Sequence, residues 1–424
     1  PQKIQACLDL GDHYRTAGRY DEGIAMYERV LTIDPTNTRA RNGLGWCYLD
    51  RKDFAQAKGV FKKAIARAPS SIETLIGLWH CSQHEGVYEE MEKISRRVLE
   101  LDPRSDWAYF ALGLYYRDHV QFKQAEKMFK RSIDLDPEQY QAYLALGDLY
   151  RIRGKFKKAL KMYGCIGEIQ LKQNSGFLMR LAECYNALGY YDAAIEHYMK
   201  VQQVAPEQYE AYIGLGECYR RKKDLKNAEN AFNTAITINA QKSSAYLGLN
   251  ACFMEQKQYQ QAKEVLLIAF EHQVSDLESD RERWDKLPAS ISNYEVPIKK
   301  QLAIEPQDNE MLNVLGWFYR YQGRYQKAII TFDRLISLQQ GNPSAYEGLG
   351  WCWLALDKIE KAQDSFERAL TIEPTTAGAL LGLALVYLNC HDHQTSEEFL
   401  RKSRNIDRDN WRGQRLLLYY ENAL

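Results

Sequence analysis

Pairs of opposite charge three residues apart recur in this chain, as Asp12 with Arg15, Asp148 with Arg151 and Glu217 with Arg220. On a helix that spacing puts both side chains on one face. Two uses are then open: a solvated ion pair contributing roughly a few tenths of a kcal/mol, or a zwitterionic track that bonds a peptide's side chains and backbone. Other chemistry is poorly supplied. His80 and His84, four apart and flanking Cys81, give two metal ligands on one helix face, but Cys81 points elsewhere and no third ligand is near in sequence. Cys390, His391, Asp392 and His393 crowd a short stretch without a better set. The pairs Gly43/Gly45, Gly214/Gly216 and Gly348/Gly350 follow no strand and lack a third glycine, so they do not read as a phosphate loop. G-x-S-x-G, H-E-x-x-H and C-x-x-C are absent. The expectation is a chain that is not an enzyme, with no catalytic residue, no metal and no cofactor.

The elements that carry these residues follow a 34-residue spacing, with unit starts at 4, 38, 72, 106, 140, 175, 209 and 243, then at 309, 343 and 377. In the unit from 106, Tyr109, Leu112, Gly113, Tyr116, Ala125, Phe129, Ser132 and Pro137 hold positions 4, 7, 8, 11, 20, 24, 27 and 32. The apolar members of each half follow helical spacing, which predicts two antiparallel helices per unit and no strand. Gly18, Gly86, Gly154, Gly189 and Gly323 recur at position 15 between them, where glycine adopts a left-handed backbone at little cost. Pro35, Pro69, Pro103, Pro137, Pro206 and Pro374 close the second helix. The unit from 72 is irregular, with Trp79 in the small position 8 and Met91 in the alanine position 20.

These positions resemble the tetratricopeptide repeat over nearly the whole chain. The resemblance implies an all-α fold, a right-handed superhelical solenoid, and a concave groove lined by the first helices, whose usual role is to bind a protein segment. In that groove, into which position 6 points in the family, position 9 is acidic in Asp12, Asp148, Glu183 and Glu217. It is His80 or a tryptophan, Trp46, Trp317 and Trp351, in other units. Position 12 is arginine in Arg15, Arg117, Arg151, Arg220 and Arg320. These thirteen residues are the expected partner-binding set, with the tryptophans as interface anchors or as fillers between neighbouring helices. Position 6 is Gly or Ala in eight of eleven units (Gly43, Gly77, Ala111, Ala145, Gly214, Gly248, Gly348, Gly382). That reads either as a bare floor for a ligand backbone or as a lax position drifting to small residues. The asparagine ladder of arrays resembling that of O-GlcNAc transferase is absent, as is the dicarboxylate clamp of chaperone-binding members.

Lys plus Arg (56) balances Asp plus Glu (56), so no global charge calls for nucleic acid or an anionic membrane. Local exceptions are Arg151, Arg153, Lys155, Lys157, Lys158 and Lys161, then Arg220 to Lys223 and Lys226. They read as a solvated edge or as a site for an acidic partner, RNA or lipid headgroups. Six of the nine cysteines, Cys47, Cys81, Cys184, Cys218, Cys252 and Cys352, recur at position 10 and read as packing residues in a reducing, cytoplasmic compartment. No apolar stretch is long enough for a membrane span. The chain begins inside a repeat, which suggests a piece of a longer protein.

The phase breaks from 164, where "GCIGEIQLKQNSG" replaces the usual signature, and between 243 and 309, a step of 66 residues. The expected organisation is an eight-repeat array over 4–274, a degenerate repeat over 275–308, a three-repeat array over 309–410 and a capping or truncated helix over 411–424. Within the degenerate repeat, roughly 275–297 is a hinge, a projecting loop or an irregular helix. The function expected is a scaffold or adaptor holding a protein or peptide segment. The alternatives are a substrate-recruiting region of an enzyme whose catalytic domain lies elsewhere and, less favoured, RNA binding along the basic edge.

Overall fold

The computed structural model describes residues 2–166, 174–278 and 292–406. These form 23 α-helices and one short 3-10 turn, and no strand is present among the described residues. After the opening helix Gln2–Thr16, first helices begin at Thr38, Ile72, Asp106, Tyr140, Ser175, Tyr209, Ser243, Asn309, Pro343 and Ala377, the unit starts read from the sequence. Short polar residues fix several of these starts. The backbone N–H of Ala40 donates to Asn37 Oδ1 at 2.9 Å and that of Met311 to Asp308 Oδ1 at 3.0 Å, satisfying amides that no helical carbonyl can reach. The second helices stop at Ile33, Leu101, Leu135 and Ile372, two residues before Pro35, Pro103, Pro137 and Pro374.

Among the described residues, every turn between the paired helices of the eleven units uses a left-handed residue at position 15. Five are the glycines above, with φ from 68° to 80°; the others are Lys52, Val120, Lys223, Lys257, Asp357 and His391, with φ from 58° to 67°. The turn geometry therefore persists where glycine is lacking, at a local cost that is greatest for β-branched Val120.

The chain divides into two compact units, Pro1–Tyr190 and Tyr191–Leu424. Each is an all-α stack in which helix pairs pack repeat on repeat, with the core running between neighbouring helices. In the first unit the helix Phe156–Gly164 is cut short where the phase slips, and residues 167–173 lie outside the described set. In the second unit most of the segment expected to be a hinge, 279–291, is also outside it, as is the terminal segment 411–424. The flanks of the former are helical: Tyr259–Glu278 on one side, a turn at Ser292–Tyr294 and the helix Glu295–Ile304 on the other. Tyr294 is fully buried there, donates to the Ala269 carbonyl at 2.7 Å and meets Phe270 edge-on.

The recurrent cysteines are packing residues. All six at position 10 are fully buried, and a Cβ at Gly23 would lie 3.0 Å from Cys47 Sγ, which sets the thiol against the preceding repeat. Burial pushes the thiols of Cys47, Cys218, Cys252 and Cys352 up to about 12 and those of Cys81 and Cys184 up to about 11. A thiol held protonated is a poor nucleophile. Ellman's reagent at neutral pH is therefore expected to react promptly with exposed Cys165 and Cys390, and with these six only after denaturation. Prompt reaction of the six in the native protein would contradict the packing.

Candidate functional site

An aromatic ring at position 24 of the second helix organises the first-helix surface. A Cβ added at Gly316, position 8 of the same unit, would lie 2.4 Å from the Phe332 ring; one added at Gly348, position 6 of the next, would lie 2.3 Å from it. The same double approach is made by Tyr27 on Gly11 and Gly43, by Phe61 on Gly45 and Gly77, by Phe232 on Gly216 and Gly248, and by Phe366 on Gly350 and Gly382. Position 6 is thus neither a bare floor for a ligand nor a lax site. Its glycines are small because a ring from the preceding repeat already fills the space where a side chain would go.

The same ring is matched to the groove residue at position 9, a coupling that reading the first helix alone missed. Where position 9 is acidic, the ring can be a tyrosine whose hydroxyl reaches the carboxylate: Tyr27 donates to Asp12 Oδ1 at 2.5 Å and Tyr163 to Asp148 Oδ1 at 2.7 Å. Burial, reinforced by these carboxylates, raises both phenols well above their ordinary value. Burial also works to raise the Asp12 carboxyl, but hydrogen bonds from Tyr27 and Arg39 outweigh it and hold the group below the usual carboxylate value. Where position 9 is tryptophan, the ring is phenylalanine. Trp46 meets Phe61 edge-on at 5.6 Å, Trp317 meets Phe332 at 5.9 Å and Trp351 meets Phe366 at 5.4 Å.

The charged residues mostly bond across repeats rather than along one helix. In the first unit Asp12 accepts from Arg39 at 2.6 Å, Arg15 reaches Asp50 at 3.0 Å, Asp148 forms an ion pair with Arg180 at 2.8 Å and Arg151 reaches Glu183 at 2.9 Å. Asp148 and Arg151 stand 3.6 Å apart, and Arg117 pairs with its neighbour Asp118 at 2.8 Å. In the second unit Arg220 does bond Glu217 within its own helix, at 2.7 Å, and extends to Glu255 of the next repeat. Burial works to raise the Glu217 carboxyl, yet the bonds from Arg220 and Arg221 keep it low. These pairs are only partly solvated: the side chains of Asp148 and Arg220 are 16% and 17% exposed, and each also reaches the next repeat, while Arg220 keeps its bond to Glu217 in its own helix. Arg320 differs in lying against Trp317, Tyr321 and Trp351, 5.1 to 5.2 Å from each ring centre.

His80 packs edge-on between Trp46 and Trp79, and burial lowers its pKa, leaving the imidazole uncharged at neutral pH. His84 instead stacks on Phe54. Among the described residues no group of three or more His, Cys, Asp or Glu side chains is placed to hold a metal. Both basic runs are partly neutralised: Arg153 by Glu126, Arg221 by Glu217, Lys222 by Asp192 and Lys223 by Glu255. Lys158 and Lys161 line a hollow of about 340 Å³ with Tyr143, Tyr150 and Met162. No described helix is long and apolar enough to cross a membrane.

Sequence models of the tetratricopeptide repeat match residues 14–78 and, separately, 110–163, 178–245 and 313–375. The RNA polymerase-associated protein CTR9 of Caenorhabditis elegans is 23% identical over 238 residues, covering 54% of this chain and 21% of that protein. The general transcriptional corepressor ssn6 of Schizosaccharomyces pombe is 25% identical over 105 residues, covering 24% of this chain and 10% of its own length. The chain thus spans about a fifth or less of these relatives. Among solved structures, the APC/C hetero-tetramer Cut9–Hcn1 aligns over 96% of this chain and 94% of its own at 15% identity, with a TM-score of 0.36. Pseudomonas aeruginosa pilF aligns over 48% and 93% at 20% identity, with a TM-score of 0.44. With these models matching more than half of the chain, on helix pairs that begin where the sequence phase puts them, the chain belongs to the tetratricopeptide repeat family.

Proposed function

We propose that this chain is a protein-interaction scaffold that holds a segment of a partner protein against the first-helix residues at positions 9 and 12. The observation that carries the reading is the tie between repeats: Arg15 to Asp50 and Arg151 to Glu183 in one unit, Arg220 to Glu255 in the other. Side chains bonded at both ends keep fixed donors and acceptors along successive repeats, so little ordering entropy is lost when a ligand lies across them. Trp46, Trp317 and Trp351 add half-buried aromatic area on the same face, the residue type that most often anchors an interface. The role of the curated relatives, a polymerase-associated protein and a transcriptional corepressor by name, is compatible with an assembly function.

Photo-crosslinking tests this. Benzoylphenylalanine at Asn186 or Leu354, both at position 12, is expected to trap a partner protein in cells. The same probe at Lys127 or Asn233, exposed on second helices, is expected to give background only. Equal trapping from both faces would refute groove binding.

A further inference from the structure

The arginine at position 12 has two fates in this chain. Arg15, Arg117, Arg151 and Arg220 each bond a carboxylate, at 3.0, 2.8, 2.9 and 2.7 Å. Arg320 has none within ion-pair distance among the described residues; its guanidinium lies 5.1, 5.2 and 5.2 Å from the ring centres of Trp317, Tyr321 and Trp351. The two indoles are themselves fixed. Trp317 Nε1 donates to Ser344 Oγ at 2.9 Å, which engages Asn313, and Trp351 Nε1 donates to Glu347 Oε1 at 3.2 Å. The position 24 phenylalanines hold both indoles edge-on from below. Glu347, the carboxylate one repeat on, is turned toward Trp351 and lies where a Cβ on Gly378 would be, so it faces the following repeat.

A guanidinium resting on aromatic rings is stabilised by their π faces while its N–H donors remain in its own plane. Such a group is held in place without its hydrogen-bonding capacity being used, and its geometry matches a carboxylate in two parallel bonds. We propose that Trp317, Arg320 and Trp351 form a receptor for one acidic side chain, aspartate or glutamate, of the partner segment, with the indoles covering apolar residues beside it. This rests on the groove reading above and adds the class of residue recognised. It differs from attraction to a basic patch because a single, sterically framed cation does the recognising.

The test is selection from a phage-displayed random peptide library on the full chain, with Arg320→Gln and Arg320→Lys in parallel and circular dichroism confirming that each folds. The parent is expected to enrich Asp or Glu at one peptide position. Arg320→Gln should lose that enrichment and bind the selected peptides about tenfold or more weaker. Changing the selected Glu to Gln in the peptide should weaken the parent by a similar factor and leave Arg320→Gln unaffected. Arg320→Lys, charged but without the planar fork, should fall between. Peptides that lack acid enrichment yet need Trp351, or an unchanged selection by Arg320→Gln, would overturn the receptor and leave groove binding standing. Failure to select any groove-dependent peptide would overturn both.

Discussion

Ser95→Phe is expected to destabilise its repeat by about 1–3 kcal/mol and Trp79→Gly by about 3–5 kcal/mol, yet the double variant should lose clearly less than the sum of the two. Position 24 of the unit from 72 is Ser95, fully buried and bonded to the Met91 carbonyl, where the neighbouring units place Phe61 and Phe129. The missing ring is supplied from the other helix. Trp79, at position 8 and 2% exposed, packs with Met91 and with Ala111, which is the position 6 residue of the next repeat. In the regular units it is the position 24 ring that meets position 6. A large side chain has therefore been moved from one helix to its partner, with Trp107 closing the contact edge-on at 5.4 Å. Phe at 95 with Trp79 present overfills the space; Gly at 79 with Ser95 present empties it; together they restore the glycine-against-ring arrangement of Gly45 and Phe61. The coupling energy, from denaturation with hydrogen exchange over Ile72–Leu101, should reach about 2–3 kcal/mol. Additive losses would show that the two sites do not share one space.

The helices were legible because their signal is local and repeated: apolar spacing, a glycine at the turn and a closing proline lie within one 34-residue unit. Turns lacking glycine, such as those at Lys52 and Val120, follow the same backbone path although their residue types do not announce it. What escaped the reading is contact between units. Gly348 looks open on its own helix and is covered by Phe332, sixteen residues earlier, from the helix before. Asp12 has Arg15 one turn away in sequence but bonds Arg39, because the next first helix lies beside it. One part of the site was present in the sequence as paired choices: acid at 9 with tyrosine at 24 in Asp12/Tyr27 and Asp148/Tyr163, tryptophan with phenylalanine in Trp46/Phe61 and Trp351/Phe366. In those two acidic units the tyrosine hydroxyl donates to the carboxylate, whereas Glu217, which stands with Phe232, is held by Arg220 and Arg221 instead.

Phe332→Ala should be among the most damaging single truncations in the second unit, costing about 3–5 kcal/mol. Its ring is fully buried and wedged among three helices, against Gly316 of its own repeat, Gly348 of the next and the Trp317 indole. The glycines make the wedge possible and also prevent repair, since neither carries a side chain able to swing into the cavity. Gly348→Val tests the same joint from the other side, by driving new carbon atoms into the ring, and is expected to cost about 1–3 kcal/mol or more. Ile330→Ala on the same helix is the control, because that side chain is 69% exposed and should change stability by less than about 0.5 kcal/mol. Repeats couple mainly to their neighbours, so the loss should concentrate locally. Hydrogen exchange in Phe332→Ala should quicken over Asn309–Ala355 while the helices Gln2–Thr16 and Tyr20–Ile33 keep the parent's rates. Uniform quickening through both units would mean that the chain unfolds as a single body, and an effect no larger than that of Ile330→Ala would mean that the ring is not what joins the repeats.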